Sequence, residues 1–143
     1  MDKLFLETSI FIRYFTEDDP RKLQDCVRLL EIIEKGKLRP YTSNIVVFEI
    51  LFVLTRIYQF SKKDVIEAIK KILTLRNLAL IEKTNTKRAI KLFEKYSIKF
   101  PDCLIATQIP EGVKIVTYDD DFKKIDGLTS IDPANIQIND KQY

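Results

Sequence analysis

Acidic residues stand at several points of this chain where an ionised carboxylate needs a reason. Glu7 ends the apolar run Leu4-Phe5-Leu6. Glu49 interrupts Ile45 to Leu54, the longest apolar stretch. Asp102 follows Pro101 at the head of the run DCLIATQI, and Asp119, Asp120 and Asp121 follow the apolar run VKIVT. A carboxylate in apolar surroundings is costly unless it is paired or holds a cation. Clustered carboxylates also repel and raise one another's pKa. A hard divalent ion, Mg²⁺ or Mn²⁺, resolves both conflicts, because such ions take oxygen ligands. At one or two sites the ion would activate a water and clamp a phosphodiester oxygen.

The chain contains no histidine. That removes Ser-His-Asp and Cys-His catalysis and two-histidine cleavage of RNA. Cys26 and Cys103 are too few and too far apart for a zinc site and read as small buried hydrophobes.

Each acid also has a plainer reading. Glu49 pairs with Arg13 or Arg56, Asp102 caps a helix, and the Asp119–Asp121 run is a solvated turn capping the next helix. Glu7 has the weakest such alternative, since a charge ending a buried strand needs some partner. Thr8, Ser9 and Thr117 either cap helices or hydrogen-bond to water on the ion, and the sequence leaves both roles open.

The elements that must position these residues are legible from periodicity and caps. Strands are expected at residues 3–7, 38–42, 78–82, 113–117 and 128–131. Ser9 is the expected cap of a short helix over 9–15. Asp19 with Pro20 forms an N-cap with proline at the first helical position, opening a helix to about Lys35 that Gly36 stops. Its apolar stripe is Leu23, Cys26, Val27, Leu30 and Ile33. Ser43 caps a helix from Ile45 to about Tyr58, and Ser61 with Asp64 resembles a capping box for one ending near Leu75. Thr84 or Asn85 starts another, ending near Tyr96, with Lys87, Lys91 and Lys95 on one face. Asp102 opens a further helix, and a helical turn lies at 121–124.

Short apolar strands separated by amphipathic helices imply a three-layer α/β/α sandwich with a largely parallel sheet. Residues 1–132 are expected to form a single domain and 133–143 a polar tail. In such sheets ligands bind beyond the carboxyl ends of the strands, where Glu7 and Asp119–Asp121 would lie.

The net charge is +3, but it is unevenly spread. Residues 61–99 carry 11 Lys/Arg against 4 Asp/Glu, a net of +7, which leaves −4 elsewhere. A basic section beside an acidic set suits a polyanion-binding enzyme with a cation in its site, or else is a solvated helical face. Without a signal peptide or an apolar run long enough to span a membrane, a cytoplasmic protein with no membrane association is expected.

The ordered series ETSIFIRYFTEDDP, FEILFVL, PDCLIATQ and GVKIVTYDDDF resembles PIN-domain ribonucleases of the VapC toxin type, over residues 3–131. The resemblance implies an α/β/α fold and an Mg²⁺- or Mn²⁺-dependent endoribonuclease. It also implies the toxin half of a toxin–antitoxin pair, often dimeric and held inactive by a partner protein. By motif, Glu7, Glu49, Asp102 and Asp119 fall on the four acidic positions that bind metal and catalyse. Asp121 is a neighbour of varying role, and Thr8 and Ser9 match the polar residues after the first acid. The lysines at 87, 91 and 95 would then steer RNA, single-stranded or in a loop.

One departure matters. The first acidic position in that family is normally aspartate, and here it is Glu7, one methylene longer. Mg²⁺ demands near-ideal octahedral geometry, so full activity is in question. A catalytically impaired PIN-like module that binds RNA or an antitoxin is the main alternative. A non-toxin RNA-processing enzyme, a DNA-acting nuclease and a phosphotransfer receiver domain are the others.

Overall fold

A computed structural model describes residues 1–137 of the chain. Five parallel strands form one sheet: β1 (Asp2–Leu6), β2 (Leu38–Ser43), β3 (Ala79–Ile81), β4 (Lys114–Val116) and β5 (Ser130–Ile131), in the order β3-β2-β1-β4-β5. Successive strand residues point to opposite faces. Leu4, Phe5 and Leu6 are all buried, so both faces of β1 are covered. This is why β1 reads as an unbroken apolar run rather than an alternating one. Pro40, which has no amide to donate, pairs with Leu4 at a point on β2 that precedes the pairing with β3 at Tyr41.

Among the described residues six helices flank the sheet: α1 (Thr8–Phe15), α2 (Pro20–Glu34), α3 (Asn44–Arg56), α4 (Lys62–Leu73), α5 (Thr86–Lys95) and α6 (Phe100–Gln108). The fold is therefore the expected α/β sandwich. Several caps form as their residue types dictate. Asp19 accepts from the Lys22 amide, Ser43 from Val46, Ser61 from Asp64 and Asn85 from Arg88. Gly36, at φ 74°, closes α2 in the left-handed region. A Cβ there would meet the Arg76 guanidinium at 2.9 Å, and that side chain donates to the Glu34 carbonyl.

Two expectations need correction. Ser9 does not cap α1; Glu7 does, through its side chain. The segment from Pro133, expected as a tail, begins inside the packed body. Pro133–Asn135 form a 3-10 turn, Ile136 is buried, and Arg28 donates to the Ile136 carbonyl at 2.8 Å. The rest of that segment, 138–143, lies outside the described residues. Among the described residues no helix is long and apolar enough to cross a membrane.

The strand order fixes where a site belongs. From β1 the chain steps outward to β2 and β3, then returns to the opposite side of β1 for β4 and β5. The carboxyl ends of β1 and β4 thus flank the topological switch point, where an open parallel sheet leaves a crevice.

Candidate active site

Glu7 leaves β1 at that crevice, its amide still donating to the Val116 carbonyl at 3.1 Å. Its side chain is buried, and one oxygen, Oε1, accepts three hydrogen bonds: from the Ser9 amide at 3.1 Å, the Ser9 hydroxyl at 2.6 Å and the Thr117 hydroxyl at 2.5 Å. The same two hydroxyls also accept. Ser9 Oγ takes the Tyr118 amide at 3.0 Å, and Thr117 Oγ1 takes the Asp119 amide at 2.9 Å. One carboxylate oxygen therefore orients two hydroxyls, which in turn hold the backbone that leaves β4 and delivers Asp119. Thr8, Ser9 and Thr117 all have protein partners in this arrangement.

Asp119 caps a 3-10 turn over Asp120–Lys124, its Oδ1 accepting from the Asp121 amide at 2.9 Å. Asp121 pairs with Lys124 at 2.8 Å. Asp102 lies in the first turn of α6, only 2% exposed, and its Oδ2 is buried without a hydrogen-bond partner. The capping role considered for it is not what holds it there, since Lys99 occupies the N-cap position. Oxygens of Asp102, Asp119 and Asp121, one from each, lie within 4.8 Å of one another.

Glu49 projects from α3 toward the same crevice, where Thr8 Oγ1 donates to its Oε1 at 2.7 Å. It pairs with neither Arg13 nor Arg56, and Arg13 binds Asp18 instead. The apolar surroundings expected from its neighbours are one-sided: Val46, Ile50 and Leu54 are buried, but Phe48, Leu51 and Phe52 are exposed. Glu49 itself is half-buried.

The charges act on one another. Burial pushes the Asp102 carboxyl up to about 7; the Lys99 ammonium opposes this, and Glu49, Asp119 and Glu7 reinforce it. Glu49 is raised chiefly by burial, against the Thr8 hydrogen bond and with the help of Glu7. All four motif acids thus face one crevice, but the close trio is Asp102, Asp119 and Asp121. Asp121, expected only as a supporting residue, joins the trio. Neither Glu7 nor Glu49 belongs to a set of three that close among the described residues.

Sequence reasoning gave Lys99 no role of its own, although its spacing of three residues before Asp102 on a helix start was available as a signal. Lys87, Lys91 and Lys95 lie exposed on α5, with Lys95 near Asp126 at 3.7 Å.

The donor set suits a hard divalent cation: oxygen ligands only, three carboxylates in reach of one ion, and a buried oxygen of Asp102 that nothing in the protein satisfies.

The comparisons agree with this fold. The family model described as PIN domain matches residues 4–128. A VapC ribonuclease of Aquifex aeolicus is 23% identical over 130 residues, covering 90% of this chain and 95% of the relative. Among solved structures, Mycobacterium tuberculosis VapC20, a Sarcin-Ricin loop cleaving toxin, superposes with a TM-score of 0.63 at 18% identity, over 87% of this chain and 96% of that one. A toxin–antitoxin complex from Klebsiella pneumoniae gives a TM-score of 0.62 at 20% identity, over 93% and 99%. With the family match running from β1 almost to β5, the chain belongs to the PIN domain family.

Proposed function

We propose that this protein is a divalent-metal-dependent endoribonuclease in which Asp102, Asp119 and Asp121 hold Mg²⁺ or Mn²⁺. The observation that carries the reading is the buried, unpartnered Oδ2 of Asp102 among carboxylates that repel one another. When bound, the ion supplies Lewis-acid polarisation of a phosphodiester oxygen and an acidified water.

The chain's own residues do the rest. Glu7 positions the site: its hydroxyl partners fix the loop that carries Asp119, and the longer side chain at this position is taken up by that network. Glu49, with Oε1 fixed by Thr8, offers its second oxygen to take a proton from the attacking water. The exposed lysines of α5 attract the RNA backbone, and a cleft at strand ends favours single strands and loops over duplex. The ribonuclease relative supports RNA as substrate. The toxin–antitoxin neighbour supports a toxin held by a cognate antitoxin, with a homodimer as the assembly the family resemblance implies.

The test is cleavage of a mixed single-stranded RNA by the purified protein with Mn²⁺ or Mg²⁺, beside an EDTA control and the Asp102→Asn variant. Cleavage abolished by both supports the reading.

A further inference from the structure

Next to the acid trio lies an open cleft of about 470 Å³ lined by Phe93, Tyr96, Ser97, Ile98, Lys99 and Asp121. It shares Asp121 with the trio, so the two are continuous. Phe93 is 49% exposed, a large apolar ring left facing solvent at the end of α5. Its orientation is set by Phe100, which meets it edge-on at 5.6 Å with the planes at 70°. Lys99 is exposed and has no ion-pair partner among the described residues. It stands at the N-cap of α6, three residues before Asp102, and lines the cleft together with Asp121, which places it on the rim of the crevice. On the other side, Lys124 spans from Asp121 to the Ser97 carbonyl.

These features together have a chemical logic. An ammonium without a carboxylate partner, beside a site whose substrate would be a phosphodiester, is matched to an anion. A fixed aromatic face within the same cleft is matched to a flat, apolar-faced group, and nucleobases stack on such rings without regard to sequence. A nucleotide carries both an anion and a flat ring, spaced by a ribose.

We infer that this cleft seats the nucleotide adjoining the scissile phosphate, with Phe93 stacking on its base and Lys99 contacting its phosphate. The inference rests on the nuclease reading and adds to it the residues that grip the strand beside the reaction centre. It also assigns the α5–α6 junction a direct role in substrate binding, separate from the long-range attraction of Lys87, Lys91 and Lys95.

The experiment measures binding of a fluorescein-labelled single-stranded RNA 10-mer by anisotropy in EDTA, and its cleavage kinetics in Mn²⁺. It compares the parent with Phe93→Ala, Phe93→Trp, Lys99→Ala and Lys99→Arg. Thermal melting and sedimentation report on fold and oligomeric state.

Phe93→Ala is expected to weaken binding roughly 5- to 100-fold and to raise KM with kcat little changed, while Phe93→Trp restores both. Lys99→Ala is expected to weaken binding and to reduce the slope of log K against log salt by about 0.7, the value for one phosphate contact on a single strand. Lys99→Arg keeps the slope. If the parent cleaves RNA while folded Phe93→Ala and Lys99→Ala bind and cleave as it does, the cleft is not the seat and the nuclease reading survives. If Phe93→Ala weakens binding only in step with loss of a dimer, the ring belongs to a contact between copies and the inference is overturned. If the parent neither binds nor cleaves RNA, the nuclease reading falls and takes this inference with it.

Discussion

Thr117 donates its hydroxyl to Glu7 Oε1 at 2.5 Å, joining residues 110 apart in sequence at the carboxyl ends of adjacent strands β4 and β1. The bond holds the switch-point crevice in shape, because the same hydroxyl accepts the Asp119 amide. Thr117→Val removes a donor to a buried carboxylate and leaves the Asp119 amide without its acceptor. It should cost about 1–3 kcal/mol, read by urea denaturation, whereas Thr117→Ser should keep most of the stability. Equal stability of the valine variant would show that the network contributes little.

Glu7 itself separates positioning from ligation. Glu7→Gln keeps an oxygen for the three donors but removes the charge. If Glu7 acts through Thr117 and Ser9, metal affinity should fall by about tenfold, as for partners that orient ligands. Asp119→Asn, which alters a residue of the trio, should abolish measurable binding. Titration calorimetry with Mn²⁺ distinguishes them, and a glutamine variant as defective as the asparagine one would make Glu7 a ligand.

Asp102 gives the metal-free protein a pH signature of definite sign. Its carboxyl is raised from the usual 3.8 to about 7, so between those values the folded state holds a proton that the unfolded state has lost. Stability from this group is therefore full below pH 3.8, declines as pH rises through that window and is gone above about 7. Asp102→Asn should melt at a higher temperature than the parent at pH 8 in EDTA, with a flatter pH profile. Added Mn²⁺ should reverse the order, stabilising only the parent. Metal binding by the parent should strengthen as pH rises through 7, because the ion requires the carboxylate.

The helix that presents Glu49 depends on its cap. Ser43, buried at the end of β2, accepts the Val46 amide at 3.2 Å. Ser43→Ala should cost about 1 kcal/mol, measured as a shift in the denaturation midpoint, and Ser43→Asp should recover part of it. No shift would mean that packing alone sets where α3 begins.

Local chemistry made much of this molecule legible. Asp19 with Pro20, Ser43 and Ser61 each announce a helix start through a side-chain oxygen and an orphan amide only a few residues away, and all three cap as expected. The apolar runs LFL and KIV were readable as strands buried on both faces, and that in turn placed Glu7 and Asp119 at strand ends. What the chain did not disclose lies in contacts between distant segments. Nothing near Glu7 in sequence tells that Thr117 will meet it, so Ser9 was the natural choice of cap when Ser9 is in fact a donor to Glu7. Hydropathy marks Phe48, Leu51 and Phe52 as core because it registers residue type and not which side of α3 faces the sheet; they are exposed, and Glu49 is only half-buried. The place of Asp121 in the close trio likewise depends on how the 3-10 turn after β4 is wound, which three consecutive aspartates do not specify.

The metal trio is tested most directly by RNA cleavage by the parent protein, with Glu7 in place, in Mn²⁺, set beside EDTA, Asp102→Asn and Glu7→Asp. If Asp102, Asp119 and Asp121 hold the ion, the parent cleaves single-stranded RNA and EDTA and Asp102→Asn each abolish cleavage, so that glutamate at position 7 suffices. Cleavage that survives Asp102→Asn or chelation would contradict the metal trio, and cleavage seen only in Glu7→Asp would contradict the positioning role given to Glu7.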